Sequence, residues 1–252
     1  MSGIVFCRLT TGSGDDIACE WLDGEGPGII FCPGFQSDMQ GMKALALRQW
    51  CVEKGRQYSR FDYRGHGQSG GDITHFTLSH WLADTLQVID ELTVGPQLLV
   101  GSSMGGWLSL LAALERPERI AGLLLIAPAQ NFTERIVNER MSEAQRVSLA
   151  NKGRCELFSP YDSRPYIITR ELLADGRQHR LGEMPIAIDA PVRIIHGQQD
   201  EAVPWQASIR LVEQLSGEDV ELQLVKQGDH RLSGTADLHR MLSMLEQLVM
   251  FR

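Results

Sequence analysis

The sequence predicts an α/β fold, with a mostly parallel central sheet, helices on both faces and a small helical cap. Three observations carry this expectation. Apolar runs with strand character alternate with helical stretches along the chain. Interior runs such as 97–100 and 120–126 are apolar on both faces, as strands covered on both sides must be. One of them, Q-L-L-V from Gln97, runs straight into Gly101-Ser102-Ser103-Met104-Gly105 and then into an apolar helix.

Taken in order, residues 4–9 and 16–22 read as two edge strands joined as a hairpin through Gly12-Ser13-Gly14. Residues 28–32 form an inner strand stopped by Pro33-Gly34. Residues 41–54 suit a helix ended near Gly55, because Met42, Leu45, Leu47 and Val52 recur at helical spacing. A strand over 58–62 leads to Tyr63-Arg64-Gly65-His66-Gly67, and a helix over 81–92 precedes the Gly95-Pro96 turn. After the elbow helix, which stops near Arg116-Pro117, comes the strand at 120–126. Residues 131–184 break the rhythm with helical pieces near 139–150 and 169–174 and with aromatic, Pro and Gly punctuation, and are expected to form the cap. The sheet resumes at 192–196; a helix over 205–215, a strand over 220–225 and a closing helix over 236–249 complete it. The expectation is one domain, residues 1–252, with the cap inserted.

Composition narrows the function. The 252 residues are 43% hydrophobic, enough for a sizeable core, with no low-complexity linker to divide them. A net charge of −8 leaves no electrostatic footprint for a nucleic-acid partner. No apolar run approaches about 18 residues, so no transmembrane segment is expected. The five cysteines are scattered without C-x-x-C spacing and read as reduced. The N-terminal stretch lacks the pattern of a secretory or transit signal, so the expected location is cytoplasmic.

The chemistry is concentrated at three strand ends. The G-x-S-x-G turn presents Ser103 as a nucleophile, and glycines at 101 and 105 let the turn close. A serine hydroxyl needs a base to take its proton and an acid to orient that base. His196-Gly197-Gln198-Gln199-Asp200 puts Asp200 just past one strand, and Asp229-His230-Arg231 puts His230 just past the next. Ser102 lies one place short of the elbow's centre. Glu201 and Asp229 compete with Asp200, and Asp229 is read as pointing away or capping its turn. His196 is read as a structural residue packing its turn and His66 as a loop brace, while His75, His80, His179 and His239 have no strand-end context. For the oxyanion, the donors are the backbone N–H groups of Met104 and of Phe35, in the loop Pro33-Gly34-Phe35-Gln36-Ser37. Trp107, Phe132 and Trp205 are candidates for the pocket wall and equally for the core.

The stretches P-G-F-Q-S-D-M-Q-G-M-K-A, R-F-D-Y-R-G-H-G-Q-S, V-G-S-S-M-G-G-W, H-G-Q-Q-D-E-A-V-P-W and D-H-R together resemble the α/β-hydrolase superfamily. More narrowly they resemble the family of the mitochondrial α/β-hydrolase-domain protein ten. That resemblance implies S-depalmitoylation of proteins or hydrolysis of acyl glucuronides, with Ser103 as nucleophile, Asp200 as acid and His230 as base. The expected function is therefore a serine hydrolase of carboxylic esters or thioesters that forms an acyl-enzyme and uses no metal or cofactor. Its partners would be a small-molecule ester or thioester, or an acylated protein. The competing readings are a C–C bond hydrolase with the same triad and a silent fold that binds a ligand.

Overall fold

The computed structural model describes residues 3–159, 162–182 and 185–250. Its centre is an eight-stranded sheet in the order β1-β2-β4-β3-β5-β6-β9-β10. The strands are β1 (Val5–Thr10), β2 (Asp16–Leu22), β3 (Glu25–Cys32), β4 (Arg56–Phe61), β5 (Gln97–Ser102), β6 (Ile120–Ile126), β9 (Val192–Gly197) and β10 (Val220–Val225). From β4 to β10 every neighbour pair is parallel, while β2 is antiparallel to both β1 and β4. The 16–22 strand is therefore not an edge: it is covered by β1 on one side and β4 on the other.

Along the inner strands the pleat sends alternate residues to opposite faces, and two cores result. Ile30, Leu99, Leu123 and Ile194 point to one, with Trp81 of α2 (Leu78–Gln87) and Trp107 of α3 (Met104–Glu115). Ile29, Val100, Leu124 and Ile195 point to the other, with Leu47 of α1 (Met42–Lys54) and Leu245 of α8 (Thr235–Met250). Gly55 ends α1 in the left-handed conformation, at φ 65°. The 81–92 stretch starts three residues earlier than its periodicity indicates, with the capping box of Thr77 and His80, and finishes as a π-turn at 88–92.

Between β6 and β9 the chain leaves the sheet as α4 (Phe132–Arg135), a π-turn at 136–140, α5 (Glu143–Lys152) and α6 (Arg170–Gly176). With these helices comes a two-stranded antiparallel hairpin, β7 (Arg154–Ser159) and β8 (Asp162–Thr169), which the sequence reading left as punctuation. Its first strand alternates, with Cys155 and Leu157 buried and Arg154 and Glu156 exposed, but Pro165 masked the second. The end of the expected cap at Met184 lies outside the described residues. The helix α7 (Gln206–Gln214) covers β9 and β10. Among the described residues no helix is long and apolar enough to cross a membrane.

Candidate active site

The sheet brings three distant residues to one edge. β5, β9 and β10 are parallel members of it, so their C-terminal ends open on the same side, and Ser103, Asp200 and His230 each follow one of them. His230 Nε2 lies 3.1 Å from Ser103 Oγ, and His230 Nδ1 lies 2.7 Å from Asp200 Oδ2. With the acid on Nδ1, the free nitrogen of the neutral ring faces the hydroxyl as an acceptor.

Ser103 sits at φ 55° and ψ −116°, a conformation an L-residue holds only when its surroundings impose it. They do: Ser103 N–H donates to Ile126 O at 2.9 Å, and Ser103 O accepts from Gly106 and Ala129 N–H at 3.0 Å each. Close packing of the turn leaves no room for side chains beside it. A Cβ on Gly105 would collide with the carbonyl of Cys32, and one on Gly101 would come within 2.5 Å of Gly105 O. Ser102 ends β5, paired with Ile126 in the sheet register.

The Pro33 loop lies against the elbow, with a Cβ on Gly34 reaching within 3.3 Å of Ser103 Cβ. The end of β4 braces it from behind. Asp62 accepts from Met39 N–H at 2.6 Å and from Gln68 N–H at 2.8 Å, and Arg60 donates to the Met39 carbonyl. As the first residue of α3, Met104 has no intrahelical acceptor for its N–H. Among the described residues the Phe35 N–H has no backbone acceptor either. The Phe35 ring packs within 5.5–6.1 Å, centroid to centroid, of His66, Trp81, Phe132 and Tyr166, which fixes the backbone that carries that N–H.

The Asp200 side chain is fully buried. Burial pushes a carboxyl's pKa up, but donors from His196, His230 and the Val203 N–H outweigh that and hold Asp200 well below the usual carboxylate range. It is therefore ionised beside His230 at neutral pH. Its rivals are elsewhere: Asp229 accepts from Leu232 N–H at 3.0 Å and caps its turn, and Glu201 is exposed.

Ser103 and His230 line a cavity of about 290 Å³. Its apolar lining comes from both the sheet side and the inserted segment: Phe35, Met104, Phe132, Ile136, Tyr166 and Val203. Polar and charged residues line it as well, among them Ser37, Asp38, Lys43, Arg135, Arg140 and Ser233. Of the aromatic candidates only Phe132 lines the cavity. Trp107 is buried in the core with its Nε1–H on the His179 carbonyl at 3.2 Å, and Trp205 does not reach it.

Three residues near the site escaped the sequence reading. Lys43 Nζ donates to the carbonyl of Arg231 at 2.6 Å, tying the chain beside His230 to α1; burial brings its ammonium down to about 8. Arg135 donates to the Ala202 carbonyl, beside Asp200. Ile136 is the third: Arg135 and Ile136 follow Phe132 by three and four residues on one helical face, a spacing that could have marked them. His196 packs its turn as expected, and it also touches Asp200 itself, with Nε2 3.0 Å from Oδ2.

Residues 27–158 match the family described as serine aminopeptidase, S33. The mitochondrial palmitoyl-protein thioesterase ABHD10 of Mus musculus is 39% identical over 235 residues, covering 93% of this chain and 79% of that protein. Among solved structures, a putative hydrolase from Agrobacterium vitis S4 superposes with a TM-score of 0.92 at 37% identity, over 98% of this chain and 99% of its own. The mouse α/β-hydrolase domain-containing protein 10 gives 0.89 at 36% identity, over 97% and 98%. One expectation is corrected by these likenesses. The mouse thioesterase and its mammalian counterparts are named mitochondrial, which points away from a cytoplasmic location. A compartment address is read by receptors from a short segment, so the composition of a folded body does not report it.

Proposed function

The chain belongs to the ABHD10 family of α/β-hydrolases, and from that membership we propose that it cleaves carboxylic thioesters and esters through Ser103, His230 and Asp200. The observation that carries the reading is the hydrogen-bonded line from Asp200 through His230 to Ser103, ending at a serine held in strained geometry in the lining of a cavity.

In this mechanism Ser103 Oγ attacks the carbonyl carbon while His230 Nε2 takes the hydroxyl proton. Asp200 keeps the imidazole oriented and stabilises the imidazolium that forms. The N–H groups of Phe35 and Met104 receive the oxyanion, backed by the N-terminal end of α3. His230 then protonates the departing thiol or alcohol, and water, activated by the same imidazole, releases the acid from the acyl-enzyme. Every proton is carried by a residue of this chain, so the cycle closes without a metal or cofactor.

Residues 131–184 act as a cap whose Phe132, Ile136 and Tyr166 offer the acyl chain an apolar wall. The name of the mouse relative makes a long-chain thioester, free or on a protein, the first substrate to try. The test is hydrolysis of matched thioesters and oxygen esters at short and long acyl lengths, with Ser103→Ala as the blank. Loss of at least about 10³-fold in kcat for Ser103→Ala, together with fluorophosphonate labelling of the wild type alone, is expected. Undiminished turnover by that variant would remove the serine from the mechanism. Preference for long thioesters supports a depalmitoylating role, and preference for short oxygen esters makes the protein a general carboxylesterase.

A further inference from the structure

Asp200 is held by more donors than the orientation of one imidazole requires. Its Oδ1 accepts from the N–H groups of Ala202 at 2.8 Å and Val203 at 2.7 Å. Its Oδ2 accepts from two rings, His230 at 2.7 Å and His196 at 3.0 Å. The His196 side chain is as fully buried as the carboxylate itself.

The tautomer of His196 follows from its neighbours. Its Nε2 faces two acceptors, Asp200 Oδ2 and the Val203 carbonyl at 3.1 Å, so that nitrogen carries a proton. Its Nδ1 lies 2.7 Å from Ser208 Oγ, a hydroxyl buried in α7 that can donate to it. A continuous chain of hydrogen bonds thus runs from α7 through β9 to the acid, and on through His230 to Ser103. The sequence separation of four between His196 and Asp200 matters only because the chain turns back on itself after β9.

Resting on the roles given above to Ser103, Asp200 and His230, we propose that His196 is a positioning residue for the reaction. Its Nε2–H shares Asp200 Oδ2 with His230, locking the carboxylate and moderating the negative charge that the base experiences. A carboxylate relieved of that donor pulls harder on His230 and keeps its ring protonated to higher pH. The acidic limb of the rate profile then moves upward. Arg135 of α4 also acts on Asp200 through its charge, and that contribution is the same with or without His196.

The experiment is the pH dependence of kcat/KM for a soluble ester, measured with the wild type, His196→Phe, His196→Gln and Ser208→Ala, beside Ser103→Ala and His230→Ala. His196→Phe keeps the bulk and loses the donor. It is expected to lower kcat about tenfold, to leave KM within about twofold, and to raise the acidic limb by about half a pH unit or more. Glutamine, whose amide can reach the position of Nε2, reverses most of both effects. Ser208→Ala moves the limb in the same direction by less. A wild-type limb and kcat in His196→Phe, whatever the loss in Tm, overturns the proposal and leaves only packing. Should that variant not fold, Ser208→Ala decides: a raised limb upholds the proposal and an unmoved one overturns it. Activity persisting in Ser103→Ala would instead strike the mechanism beneath, so the two failures are distinguishable.

Discussion

Ser103 keeps its left-handed φ because three backbone hydrogen bonds hold its peptide groups and because glycines at 101 and 105 let β3, β5 and α3 meet around it. That much was legible, since a G-x-S-x-G between a strand and a helix has few other uses. The two strand-end histidines show the limit. His196 lies at the end of β9 and His230 follows β10; the sequence reading took His230 as the base, but only the fold shows that His196 reaches the same oxygen of Asp200 as His230 does. His66 illustrates a different residue-level consequence. Its ring is buried, Nε2 has no partner among the described residues, and burial pushes its pKa down to about 4. The unfolded chain binds that proton near 6.5, so between 6.5 and 4 it holds more protons than the native state, and stability falls as pH falls through this window. Urea denaturation at pH 7 and pH 5 is expected to show the wild type losing about 2 kcal/mol more than His66→Gln. Asp84, raised by burial to about 6, changes stability in the opposite sense, but equally in both proteins, so it cancels from the comparison. Equal losses would mean that His66 is protonated in place.

At the scale of elements, the segment between β6 and β9 stands over the site because specific bonds fasten it. Asp175 of α6 accepts from Ser79 N–H at 2.8 Å and from Ser79 Oγ at 2.6 Å, so it caps one free N–H of the first turn of α2 from a different part of the chain. The Trp107 bond to the His179 carbonyl adds a second fastening to α3. Asp175→Ala is expected to cost about 1–2 kcal/mol and to speed amide exchange in α6 and the first turn of α2 while β5 stays protected. Unchanged exchange in α6 would show that apolar packing alone holds the segment down. None of this could be read beforehand, because Ser79 and Asp175 are 96 residues apart and neither belongs to a motif. The hairpin of β7 and β8 was missed for a local reason: only Cys155 and Leu157 mark the buried face of the first strand, and Pro165 interrupts the pattern of the second.

The whole molecule buries its thiols. All five cysteines are free, four of them buried and Cys7 partly so. Burial raises the pKa of each, to about 12 for Cys32 and Cys51, which suppresses the reactive thiolate. A disulfide reagent at pH 8 is therefore expected to modify less than about one thiol in the native protein within minutes and all five after unfolding, with hydrolysis unaffected by the native treatment. Rapid loss of activity would place a reactive cysteine near the site. The net charge of −8 belongs to this scale as well: it gives no attraction for nucleic acid, and it says nothing about the compartment, where the reading needed correction.

The sequence by itself determined the sheet, its helices and the three residues at the strand ends. Those features come from periodicity and from a turn motif, and both are set by residues close together in the chain. Only the tertiary structure decided what surrounds them: that a second ring, His196, shares Oδ2 of Asp200 with His230, which helix Asp175 caps, and that Lys43 holds the chain beyond His230. The contacts around Asp200 depend on a strand order in which β9 lies beside β6 and β10, and on a chain turning back after β9. No local pattern encodes that order; it emerges when the two apolar faces of the sheet are buried together.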